Sequence, residues 1–223
     1  MENIIIIRKK IKNINIRIKP EGQVILTAPF LTTDEEIKNI ISKKQKWIEK
    51  HTSFFKENYK KELKIEYLNG DKIQYLGNLY TLEIIHEDRD TVIFNEEKIT
   101  IYTLKINDSK HKEKLLKDWY LKEASNKFSI IIQKYKKIVN RPIHKISIKN
   151  MKSRWGSCNY IKNYINLNLK LIEKSEYCIE YVIFHELAHL IHPNHSKNFY
   201  NYLQIYMPDH KLRRRLLNGN FKL

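Results

Sequence analysis

His185-Glu186-Leu187-Ala188-His189 is the stretch on which the reading of this chain turns, because its spacing makes chemical sense on a helix. Two histidines four residues apart fall one turn from each other on one helical face, so their imidazoles can converge on a single metal ion. The glutamate between them lies beside the pair, within reach of a water on that metal. His195 follows six residues later, and four of the chain's nine histidines lie between residues 185 and 195.

Zinc takes neutral imidazole at ~2.0–2.1 Å and usually four ligands, one of them water where the site is catalytic. After His185 and His189, the third protein position is a choice between His192 and His195. His192 is seven residues from His185, about 10 Å along a helix axis. Ligands strung over two helical turns meet poorly at one tetrahedral centre. His195 comes after Pro193-Asn194, where the chain can turn back, and it is favoured. Glu186 could itself be a ligand, but neighbouring helical positions diverge by about 100°. As a general base it would deprotonate a metal-bound water and later protonate the leaving amine. The expectation is Zn2+ on His185, His189 and His195, with Glu186 catalytic, in a hydrolase. A rival reading is a nucleic-acid-associated binding module whose zinc is structural, closed by His192 or a cysteine as fourth ligand.

The composition narrows the rest. At 223 residues the chain can hold one large domain or two small ones. No stretch approaches the ~18 apolar residues of a membrane span. The N-terminus has only the run Ile4 to Ile7 before basic residues, which is no secretory signal. Cys158 and Cys178 make neither a disulfide framework nor a CxxC pair, so the expected location is cytoplasmic. The net charge of +17 would suit DNA or another polyanion. The excess is lysine, 34 against eight arginines, whereas base and phosphate recognition favours the arginine fork. Abundant Ile, Asn and Tyr alongside Lys point to compositional bias instead. Arg213-Arg214-Arg215 reads as a solvated face.

Periodicity divides the chain near residue 105. Residues 2–28 read as two strands, with Ile14, Ile16 and Ile18 alternating, then Val24 to Ala28, and Pro20-Glu21-Gly22 as the turn. Thr33-Asp34-Glu35-Glu36 opens a helix with the stripe Ile37, Ile40, Ile41 and Ile48. Short strands follow at about 72–75, 80–85, 91–94 and 99–104. From Asp108, Leu115, Leu116, Trp119, Ala124, Phe128, Ile131 and Ile132 recur at helical spacing, and Arg141-Pro142 ends that helix. Ile146–Met151 and Tyr164–Leu169 read as a strand hairpin. Ser175 caps the histidine helix, expected to run until Pro193. Helices at 196–206 and 209–217 complete the chain. Met151 to Cys158 holds a glycine bend and a Trp, and its polar atoms would lie near the metal. The fold class expected is α+β, with a β-rich portion over 1–105 and a compact module over 106–223.

Arg154-Trp155-Gly156-Ser157-Cys158, Leu167-Asn168, Tyr181 through His189, Asn194-His195-Ser196 with Phe199, and Pro208-Asp209 together resemble the YgjP-type metallopeptidases, small zincins similar to SprT and WLM protease domains. In the N-terminal half the likeness includes Pro20-Glu21-Gly22, Ala28-Pro29, Trp47-Ile48 and Tyr75-Leu76-Gly77. The resemblance implies a zincin-like module with an HExxH active-site helix, zinc on His185, His189 and His195, Glu186 as the catalytic residue, and a protein or peptide substrate. This chain departs from the family pattern at Tyr200, where Trp is frequent, at Asn163, where Gly is frequent, and at Lys174-Ser175, where a Pro is usual. None of these is an expected ligand.

Overall fold

The computed structural model describes residues 4–19, 22–58, 66–151 and 153–219. It is an α+β chain of two compact units, residues 1–65 and 66–223. In the first, strands β1 (Ile4–Arg8), β2 (Asn15–Ile18) and β3 (Val24–Ala28) form a sheet in the order β1-β3-β2. Strand β1 runs parallel to β3, and β2 runs antiparallel. The sequence reading had two strands here, because Ile4 to Ile7 shows no alternation; the turn residues Pro20 and Glu21 lie outside the described residues. Helix α1 (Asp34–Asn58) covers the sheet through Ile37, which packs with Leu26 and Ala28. Its start is a capping box: Glu36 N–H donates to Thr33 Oγ1 at 3.2 Å, and Thr33 N–H donates to the Glu36 carboxylate at 2.8 Å.

Among the described residues the second unit holds two sheets, four α-helices and a 3-10 helix, Leu169–Glu173. Strands β4 (Lys72–Tyr75), β5 (Asn78–Ile85), β6 (Thr91–Phe94) and β7 (Lys98–Tyr102) are ordered β4-β5-β7-β6. Helix α2 (Ser109–Val139) packs on this sheet, capped by Asp108 and ended by Asn140 in the left-handed region. Tyr75, Leu82, Ile99 and Ile101 share one core with Trp119, Phe128 and Phe184. The boundary expected at 105/106 therefore falls inside this unit, since the sheet and α2 bury their apolar faces on each other.

Strands β8 (Lys145–Lys149), β9 (Gly156–Asn159) and β10 (Tyr164–Asn168) form the third sheet, ordered β8-β10-β9. The expected hairpin of 146–151 with 164–169 is corrected: β8 pairs parallel with β10, and the hairpin is β9–β10. Asn163 adopts φ 54° in its turn, the conformation that a glycine would take without strain. Strand β9 carries no β-branched residue, so no strand signal is legible there.

Helix α3 (Glu176–Ala188) lies at the centre, packed on α2, β9 and β10, with α4 (Lys197–Tyr206) and α5 (His210–Leu217) against it. Ser175 Oγ caps it by accepting from Cys178 N–H. The β4–β5 turn seats on this cap: Leu76 and Gly77 both have positive φ, as a two-residue hairpin requires, and a Cβ on Gly77 would meet Ser175 backbone at 2.9 Å. Among the described residues no helix is long and apolar enough to cross a membrane.

A charged clasp binds α2, α3 and α5. Arg213 pairs with Asp209 at 2.9 Å and with Glu180, Lys134 also reaches Glu180, and the Tyr177 hydroxyl donates to Asp209. The Arg213 guanidinium lies 3.8 Å from the Tyr177 ring centroid. The expected solvated face at Arg213 is thus corrected, its partner Glu180 being 33 residues away in sequence. Burial alone would raise the Asp209 and Glu180 carboxyls, but hydrogen bonds from Tyr177 and Arg213, and from Lys134 and Arg213, hold them below their ordinary values. Folded values that are depressed stabilise above the unfolded carboxylate range, about pH 4, and that contribution is lost as pH falls further. Arg213→Met should therefore melt below wild type at pH 7, and the two melting temperatures should converge between about pH 4 and pH 2. Parallel curves through that window would show that the clasp does not carry the acid sensitivity.

Candidate metal centre

Helix α3 places His185 and Glu186 in its last turn, with His189 at its C-cap. It ends at Ala188, five residues before the stop expected at Pro193. The turn tightens through Leu190 N–H to Leu187 and Ile191 N–H to Ala188, and then the His189 imidazole takes over a backbone partner. Its Nδ1 lies 3.0 Å from the His192 carbonyl. A carbonyl only accepts, so Nδ1 carries the proton and Nε2 is left with its lone pair. His192 contributes this backbone oxygen, and its own ring packs on Tyr202 at 5.4 Å.

His195 lies in the segment after that turn, immediately before the Ser196 N-cap of α4. The imidazoles of His185, His189 and His195 offer one nitrogen each, all within 4.8 Å of one another. His185 Nε2 and His195 Nε2 are 2.9 Å apart. Phe199, fully buried on α4, touches all three rings at centroid distances of 5.0, 4.6 and 4.9 Å, lying nearly flat on His189. Tyr200 stacks on the outer face of His195.

Electrostatics favour neutral rings. Burial, then the neighbouring His189 and His195, lower His185 to about 3, and burial followed by His195 lowers His189. Neutral imidazole is the form that ligates. This donor set fits a metal ion: the Nε2 atoms of His185 and His195 face each other at 2.9 Å, and an ion held between them would take a lone pair from each ring. Nitrogens around a tetrahedral ion at ~2.0–2.1 Å stand about 3.3 Å apart, close to what the site presents. His185 Nδ1 is buried without a hydrogen-bond partner, so this ring is held by packing on Phe199 and Tyr181 instead.

Glu186 is 7% exposed, and among the described residues it accepts no hydrogen bond. Burial pushes its carboxyl up to about 7, with Arg154 opposing the shift. It shares with the three histidines a cleft of about 630 Å³. Of the stretch Met151 to Cys158 expected near the metal, Arg154 to Cys158 lines this same cleft. Burial and the nearby Glu186 push the Cys158 thiol up to about 12, so it stays protonated, and it is no member of the histidine cluster. Cys178 lies buried in the α3–α5 contact.

Two contributors were named in the sequence without this role. Asn168, buried at the end of β10, donates to the carbonyls of Met151 and Arg154 at 2.8 and 2.9 Å, and its N–H donates to the Trp155 carbonyl. It therefore fixes the segment that faces Glu186. Arg214 reaches the cleft from α5, a position set by the Arg213 clasp one residue earlier. Both depend on contacts far apart in sequence.

Comparison with known proteins adds the family. The solved metallopeptidase zymogens abylysin of Pyrococcus abyssi and jannalysin of Methanocaldococcus jannaschii are similar at 23% and 24% identity. They match 41% and 43% of this chain, and 93% and 90% of their own, each with a TM-score of 0.38. No curated protein matches the chain. The family model described as "YgjP-like, metallopeptidase domain" matches residues 12–220. A match of that extent makes the chain a member of the YgjP-like metallopeptidase family, and so a peptidase with a metal cofactor.

Proposed function

We propose that this metallopeptidase holds zinc on His185, His189 and His195 and hydrolyses peptide bonds with Glu186 as general base. The observation that carries the reading is the convergence of three imidazoles, two of them held neutral, beside a buried carboxylate in one cleft. Zinc there supplies a Lewis acid for the scissile carbonyl and a water acidic enough to lose its proton near pH 7. Glu186 is the one carboxylate lining the cleft among the described residues. One of its carboxylate oxygens takes the proton from the attacking water and passes it to the leaving amine nitrogen. Arg154 stands near enough to Glu186 to oppose its protonation, which keeps the base available.

Among the described residues three side chains, not four, make up the donor cluster. That supports an open, catalytic position over the closed four-ligand site of a structural zinc. Strand β9 is an edge of its sheet, and its Gly156, Ser157 and Cys158 line the cleft that holds the histidines. An extended protein or peptide substrate can add to that edge through backbone hydrogen bonds, which brings its scissile carbonyl over the cleft.

Two outcomes test this. Purified protein should bind about one zinc per chain, lost on changing His185, His189 or His195 to Ala and largely kept in His192→Ala. Metal analysis that finds zinc lost from His192→Ala and retained in His195→Ala would overturn the ligand assignment. The base is tested with Glu186→Gln, which keeps the shape of the side chain and removes its basicity. Zinc content and melting temperature should stay near wild type while cleavage of casein falls about a hundredfold or more. A Glu186→Gln protein that cleaves at the wild-type rate would sink the mechanism.

A further inference from the structure

We propose that Gly156 is the positioning residue for the Glu186 carboxylate, and that the carboxylate, rather than the backbone, demands a glycine there. Its effect on hydrolysis rests on Glu186 acting as the base; the contact itself does not.

Gly156 opens β9, pairs with Leu167 and does not occupy the left-handed region. The other four glycines all have positive φ, so each answers to a conformational need. Gly156 has no such need. A Cβ built on it would lie 2.6 Å from Glu186 Cγ, 2.8 Å from Oε1 and 2.9 Å from Cδ. These are closer than side-chain carbons approach in real structures, so something must move.

Neither side moves cheaply. The terminal oxygen could rotate aside, but Cγ is one bond from Glu186 Cβ and shifts only with a change of rotamer. That rotamer is enclosed by a helix whose Val182, Ile183 and Leu187 are all buried. On the strand side, the Leu167 pairing and the Asn168 N–H bond to the Trp155 carbonyl at 2.8 Å fix the backbone on either side of Gly156. The empty space beside Gly156 is thus the seat of the carboxylate, and filling it displaces the base while leaving the three histidines untouched.

The decisive readout needs no substrate. In the zinc-loaded protein, Gly156→Ala should lower the melting temperature by about 3–6 °C. In a Glu186→Ala background, which removes the three atoms nearest the new Cβ, the same change should be neutral or slightly stabilising, because alanine restricts the unfolded chain more than glycine does. Crystal structures should show the Glu186 carboxylate moved by more than about 0.5 Å in Gly156→Ala, with the three imidazoles in place. Casein cleavage should fall at least about tenfold in kcat with zinc retained. Gly70→Ala, strained by a φ of 92° but with nothing within 4 Å, should instead lower stability and leave kcat alone. A carboxylate that superimposes on wild type would overturn the proposal, as would equal losses of melting temperature in both backgrounds. If Gly156→Ala alone fails to fold, recovery of the fold in Gly156→Ala/Glu186→Ala supports the contact and failure there overturns it. Should Glu186→Gln prove fully active, the base reading falls, while the position of the carboxylate still decides the role of Gly156.

Discussion

A carboxylate that is 7% exposed and accepts no hydrogen bond among the described residues is the costly element around which this structure is arranged. Drawing an ionisable carboxyl largely out of water penalises its charged form. Burial accordingly drives Glu186 toward its neutral form. Two features offset this: Arg154 in the same cleft, and the convergent imidazoles next to it, where a dication would favour the ionised carboxylate strongly. A carboxylate used only for stability would be better replaced by an apolar residue of its size, since α3 is otherwise apolar almost all round. The retained acid is therefore a cost carried by the core.

That cost is borne by tight packing. Phe184 stacks on Tyr135 of α2 at 4.5 Å, Phe199 fills the space beneath the three histidine rings, and Ile183, Leu187 and Ala188 have no exposed surface. Burying a large apolar side chain contributes roughly 1.5–3 kcal/mol, so a few such residues on α3 outweigh one unpaired carboxylate. The Arg213 clasp adds orientation more than energy. It fixes the turn of α5, which decides that Arg214 faces the cleft and Arg213 does not.

What was legible in the sequence follows from range. The His185/His189 pair, the Ser175 cap, the helix opening at Thr33 to Glu36 and the long helix from Asp108 are local patterns, and the structure has them. His195 stands beside the pair as expected, although the helix stops at Ala188 and not at Pro193. The parallel pairing of β8 with β10 was not legible, because it is a contact across an intervening strand and no turn announces it. Strand β9 escaped for a different reason. Its Gly156, Ser157, Cys158 and Asn159 are poor strand formers, chosen by what they face. A glycine read as a bend proves to be a strand residue facing Glu186. Local propensity and the final structure disagree where the site overrides propensity.

The early end of α3 belongs to the same logic. Had the helix continued to Pro193, His192 would have stood about 10 Å along the axis from the level of His185. Stopping at Ala188 lets the chain turn so that the His192 carbonyl accepts from His189 Nδ1, which fixes the tautomer of one imidazole and turns its other nitrogen toward the centre. The same turn brings His195 back over Phe199. One backbone decision thus sets both the protonation of the second histidine and the approach of the third. The helix supplies two nitrogens in fixed register, and its termination supplies the geometry that a helix alone cannot.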